Sequence, residues 1–158
     1  MAVNYKERIM HTIDYLKNGN RLISISRVCD LIKLDFSTED GTVCLHIQSA
    51  LMRGLQKEQL LISSNDIFFP GKNYKKKLFK KFKWDLPGNT LFDDQLHDFK
   101  NKILNKAIVS VQTVGKDLIL TFDENYEIEI LACTLEQERE YFRIFKKGDL
   151  NSHIVVES

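Results

Sequence analysis

The sequence predicts an α+β fold in which two antiparallel β-meanders, related as a pseudo-duplication, flank a central helical insert behind an N-terminal helix. Three observations predict it. Within residues 21–47, Ile23, Ile25, Ile32, Leu34, Phe36, Val43, Leu45 and Ile47 alternate with polar neighbours. Within residues 106–130, Val109, Val111, Leu118, Leu120, Phe122, Tyr126, Ile128 and Ile130 fall at nearly the same intervals. The first two strands of each copy match at one constant offset, and the third matches once the second turn of the later copy is three residues shorter. Alternation at period 2 is the mark of a strand with one buried face, so each copy reads as three antiparallel strands.

The elements follow in order. Residues 5–17 are helical, because Tyr5, Ile9, Ile13 and Leu16 share one face, Asn4 suits the N-cap and Asn18-Gly19-Asn20 stops the run. Strands are expected at 21–27, 31–36 and 42–48, with Asp40-Gly41 as the hairpin signal between the last two. A short strand at 59–64 ends at Asn65-Asp66, and Pro70-Gly71 breaks the chain. Tyr74, Leu78, Phe79 and Phe82 make one face of a helix over 74–82, and Leu91, Phe92, Leu96, Phe99 and Ile103 one face of another over 91–104. Further strands are expected at 107–113, 117–122, 126–133, 141–146 and 153–156. Tyr141-Phe142-Arg143-Ile144-Phe145 is apolar on both faces, which predicts cover on both sides and an internal partner for Arg143. Residues 1–158 read as one domain, with lobes at about 1–70 and 105–158 joined by the insert 71–104.

Composition narrows the class without naming an activity. The 158 residues carry 23 basic and 22 acidic side chains, a net charge of +1, so no whole-molecule field draws in nucleic acid. No apolar stretch reaches the length of a transmembrane helix and no membrane partner is expected, and the charged first residues predict no secretory signal. Cys29, Cys44 and Cys133 are odd in number and without metal-ligand spacing, which reads as reduced thiols in a cytoplasmic protein. No glycine-rich phosphate loop or catalytic signature is present, and no cofactor or metal is expected.

Two surfaces stand out for binding. Residues 72–83 hold seven lysines, among them Lys75, Lys76, Lys77, Lys80 and Lys81, a pattern suited to an acidic protein, a phosphate or an anionic membrane. Asp85, Asp93, Asp94 and Asp98 follow at once, which argues against nucleic acid as the main partner. Glu127 and Glu129 line one face of a strand and offer a negative stripe to a basic partner. A different grouping, His46, Gln48, Asp66, Trp84, Asp85 and Asn89, would form the site of a small enzyme or nucleotide-binding protein. The structural alternative is that Asp66, Asp85 and Asn89 cap turns and Trp84 closes the core.

Several ordered blocks resemble a family of small uncharacterised bacterial proteins. They are Leu45-His46-Ile47-Gln48, then Ile62-Ser-Ser-Asn-Asp66-Ile67 with Pro70, then Trp84-Asp85-Leu-Pro-Gly88-Asn89-Thr-Leu-Phe92-Asp93. The later half supplies Asp117–Phe122, Glu140, Phe142, Arg143, Phe145 and His153-Ile-Val-Val. Where that family places a Trp-Arg pair after the first block, this chain has Leu51-Met52, with Arg53 one position later. The resemblance implies an immunity-type protein of a toxin cassette: a non-catalytic cytoplasmic binder of a cognate toxin.

Overall fold

Among the described residues ten strands form two five-stranded antiparallel sheets, and each sheet is built from both halves of the chain. The computed structural model describes residues 11, 14–72 and 82–158. Sheet one runs in the order β1 (Arg21–Val28), β2 (Leu31–Thr38), β3 (Gly41–Ile47), β9 (Glu140–Lys146), β10 (Ile154–Glu157). Sheet two runs β6 (Ile108–Val114), β7 (Asp117–Phe122), β8 (Tyr126–Ala132), β4 (Ala50–Gln56), β5 (Gln59–Ser63). Each half makes a three-strand meander and then sends its next two strands across to the meander of the other half. The expected lobes at 1–70 and 105–158 are therefore interleaved. The reason is that β4 pairs with β8 and carries β5 on its other edge, while β9 pairs with β3 and carries β10 on its other edge.

A two-fold relation at an offset of 86 residues runs through the backbone. Leu22 N–H donates to the Lys106 carbonyl at 3.2 Å, and its counterpart Ile108 N–H donates to the Asn20 carbonyl at 2.8 Å. Gly19 N–H donates to the Ile108 carbonyl at 2.8 Å, and Asn105 N–H to the Leu22 carbonyl at 2.7 Å. Arg21 bridges Ala107, its own counterpart, so the axis passes between them. Both first strands carry a bulge at the same place, between Leu22 and Ser24 in β1 and between Ile108 and Ser110 in β6. A bulge leaves one residue of the strand unpaired and interrupts the alternation of faces. Ile23 and Val109, expected in the buried stripe, are accordingly 42% and 45% exposed.

Helix α1 (Leu91–Ile103) begins at Thr90, whose side chain accepts from Asp93 N–H while the Asp93 carboxylate accepts from Thr90 N–H. This reciprocal cap satisfies two of the free donors of the first turn. Phe92, Leu96, Phe99 and Ile103 are its buried face. Its range is that expected for the helix at 5–17 moved by 86 residues, so α1, within the central helical insert between the two meanders, also opens the second repeat. His11, Asp14 and Tyr15 are helical, while the rest of 5–13 and nearly all of the helix expected at 74–82 lie outside the described residues.

One strand was not legible as a strand. In β4, Gly54 takes a core-facing position because an added Cβ would meet Ile62 Cγ2 at 2.5 Å and the Phe99 ring at 2.6 Å. Opposite the Gly54–Leu55 step the pairing with β5 skips Leu61, and Leu55 is buried as well. Alternation is lost at both points.

Candidate functional site

The backbone register makes the two groups of singled-out residues counterparts of each other. In sheet one, Leu34 pairs with Leu45, which places His46 and Cys44 on the face away from the core. In sheet two, Leu120 pairs with Ile128, which places Glu129 and Glu127 on the matching face. Across the exchanged strands His46 faces Arg143, and Glu129 faces Arg53. Each sheet thus presents an arginine beside a titratable pair, and the two repeats have diverged in what that pair is.

On sheet two, Arg53 Nε lies 3.3 Å from Glu129 Oε2. Burial first, and then a hydrogen bond and repulsion from Glu129, raise the Glu127 carboxyl above the usual glutamate range, against the pull of Arg53. Two carboxylates on one strand face hold a proton between them more readily than either would alone. Ile119 pairs across from Glu129, and Leu51 across from Leu131, so half-buried apolar side chains flank the acidic pair.

On sheet one, Arg143 is occupied by its own strand: Nε and Nη2 donate to the two Glu140 oxygens at 2.8 Å each. Its third nitrogen approaches His153 Nδ1 at 3.5 Å. The Phe145 ring stacks on His153 at 4.3 Å and receives the edge of His46 at 5.0 Å. Burial, and after it the charge of Lys33, hold His46 below its ordinary range. Burial and the neighbouring Asp35 push the Cys44 thiol up to about 11, which keeps it protonated and unreactive. Three blocks distant in the sequence, around His46, Arg143 and His153, meet here.

The remaining singled-out residues are tied to α1. Arg27, 5% exposed, donates from Nε and Nη2 to both Asp93 oxygens at 2.7 and 2.6 Å. It also donates to the carbonyls of Cys29 at 2.7 Å, Trp84 at 2.9 Å and Leu86 at 2.9 Å. All five guanidinium N–H groups are used. Gly88, at φ +94°, adds its N–H to Asp93 Oδ2 at 2.8 Å. Asn89 Nδ2 donates to the Lys83 carbonyl at 3.3 Å, and Gln95 Nε2 to Asp66 Oδ2 at 2.6 Å. Asp66 and Asn89 therefore hold turns together, Asp85 is exposed, and Trp84 does not close the core but leans on Phe68 at the surface.

Among the described residues no hydrogen bond, ion pair or ring contact joins His46 or Gln48 to this group, whose backbone anchor Gln48 N–H finds instead at the Tyr141 carbonyl. None of the six lines the clefts of about 710 and 290 Å³. The larger cleft lies between residues 17–21 and the β2–β3 turn, with Lys17, Lys146 and Lys147 opposite Glu39 and Asp40. Lys75, Lys76, Lys77, Lys80 and Lys81 lie outside the described residues. Sequence reasoning gave no site role to Asp93, Arg53 or His153 and missed Arg27; the available signal was Arg27 itself, a charge two residues after Ile25 on a buried strand face. No protein-family profile, curated protein or solved structure matches the chain.

Proposed function

We propose that this chain is a non-catalytic, cytoplasmic binding protein of the immunity type, which neutralises a cognate bacterial toxin by covering its working surface. The observation that supports it is the Glu127–Glu129 pair. A raised carboxyl beside a second one is relieved when a partner cation enters between them. Half-buried Ile119, Leu51 and Leu131 around the pair supply the apolar ground on which such a charge contact is partly desolvated. The partner face that fits is basic, with a lysine or arginine at its centre. Co-expression with the product of an adjacent toxin gene tests the reading: the chain should restore growth and co-purify with that product. Failure to protect against any neighbouring gene product would remove it.

A second reading rests on a different observation. The His46–Phe145–His153 stack beside Arg143 offers ring faces and N–H donors to a nucleotide or another small anionic ligand, with His46 as the general base of a small enzyme. Titration with nucleotides, followed through the imidazole resonances of His46 and His153, distinguishes it.

A further inference from the structure

The cleft of about 710 Å³ beside the β2–β3 turn lies where the two repeats differ, and the difference can be followed contact by contact. In the second repeat the β7–β8 turn is short and tied down. Glu124 Oε2 lies 2.8 Å from Lys106 Nζ, the Glu124 carbonyl accepts from Gln56 Nε2 at 3.3 Å, and the Asn125 carbonyl accepts from Lys57 N–H at 3.2 Å. In the first repeat the Thr42 carbonyl accepts from Lys147 N–H at 2.9 Å, which makes Thr42 the counterpart of Asn125. Three more residues stand between Phe36 and Thr42 than between Phe122 and Asn125. The counterpart of Lys106 is Asn20, so the ion pair that ties down the second turn has no equivalent, and the cleft opens there.

Its charges are sorted. Lys17, Lys146 and Lys147 stand opposite Glu39 and Asp40, and among the described residues none of the five makes an ion pair. Lys146 Nζ is held over the Tyr15 ring, 5.5 Å from its centroid. Asn20, 9% exposed, lines the cleft between the two walls. Its Nδ2 donates to the Tyr15 carbonyl at 3.2 Å, and its Oδ1 has no partner among the described residues. A nearly buried acceptor left without a donor is costly, and a ligand donor relieves it.

We propose that this cleft binds a small phosphate monoester whose other end carries hydroxyl or ammonium donors, as in a sugar phosphate. A phosphate monoester carries roughly two negative charges at neutral pH, which three ammonium groups match better than they match one carboxylate. Lysine holds phosphate as a point charge, without a glycine-rich backbone cradle. Glu39 and Asp40 only accept, so they repel a bare anion and reward a ligand that brings donors to their side. Asn20 Oδ1 takes one further donor. The volume is that of a small-molecule site and exceeds what phosphate alone fills.

Titration of the whole chain, followed through the amide resonances of Asn20, Glu39, Asp40 and Lys147, tests this. The probes are glucose 6-phosphate, glucosamine 6-phosphate, glucose and inorganic phosphate. At least one sugar phosphate should bind roughly tenfold or more tightly than glucose or inorganic phosphate, and which of the two is tighter tells hydroxyl from ammonium recognition. Lys146→Gln with Lys147→Gln should weaken that binding by roughly tenfold. Glu39→Ala with Asp40→Ala should erase most of the advantage over inorganic phosphate. Both pairs are exposed, and circular dichroism checks that each variant is folded. The proposal is overturned if neither sugar phosphate shifts these resonances. It is equally overturned if inorganic phosphate binds as tightly, or if the folded lysine variant binds like the parent.

Discussion

Phe36 and Phe122 are counterparts 86 residues apart, and they stack on each other across the two sheets with ring centroids 6.4 Å apart and planes 10° from parallel. In a two-fold arrangement a residue meets its own counterpart only near the axis. The axis that runs between Arg21 and Ala107 therefore also runs through the centre of the core.

That placement makes the pair coupled. Phe36→Ala and Phe122→Ala should each cost about 3–5 kcal/mol, as buried aromatic truncations do. The double variant should cost less than the sum, because the second truncation removes contacts the first has already lost. Urea unfolding of the four proteins measures the coupling, and strict additivity would contradict an axial contact.

The Arg27–Asp93 pair carries a pH signature. Burial alone would raise the Asp93 carboxyl, but the hydrogen bonds from Arg27 and Thr90 outweigh it and hold the group below its ordinary range. A depressed folded-state value stabilises the fold above the unfolded value, and that contribution is lost as pH falls through the folded one. Asp93→Asn should therefore destabilise at pH 7 and differ little from the parent in strong acid. Arg27→Met leaves the carboxylate with its remaining donors but without its cation, and should cost about 3–5 kcal/mol.

Glu127 has the opposite sign. Its carboxyl is raised in the folded state, chiefly by burial and then by Glu129, so the folded chain is favoured by protonation. That favour is complete below the unfolded glutamate value and is lost as pH rises through the folded one. Glu127→Gln should raise the thermal midpoint at pH 7, with the gain vanishing in acid. A midpoint lowered at pH 7 would contradict the carboxyl pair.

Gly54→Ala should destabilise by about 1–3 kcal/mol, because the new methyl meets Ile62 and Phe99 inside contact distance. Gly54→Ala combined with Ile62→Ala, which removes the Cγ2 that the new methyl meets, should cost less than the sum of the two single variants in urea unfolding.

Local pattern and global pairing were unequally legible. The meanders were readable because Leu34, Phe36, Leu120 and Phe122 alternate strictly, and α1 because its apolar spacing is regular. The exchange of β4–β5 and β9–β10 was not, since strand partners are chosen by non-local hydrogen bonds that leave no trace in a single strand's composition. Ile23 and Val109 were assigned to the core because a bulge cannot be seen in a run that alternates through it. At the site, Glu127 and Glu129 were readable as one strand face. Their equivalence to Cys44 and His46 follows from the same spacing, but that an arginine faces each pair emerges only from the register. Arg27 and Asp93 meet across 66 residues, and neither position announces the other.

If the acidic pair on sheet two meets a basic partner, charge reversal there must weaken binding. Isothermal titration of the cognate toxin with Glu127→Lys/Glu129→Lys, alongside Lys33→Glu on the counterpart face, measures this. The sheet-two variant, folded by circular dichroism, should lose at least roughly a hundredfold in affinity, as truncated or reversed charges at a buried contact do, while Lys33→Glu should bind like the parent. Unchanged affinity in the sheet-two variant would contradict the proposed contact.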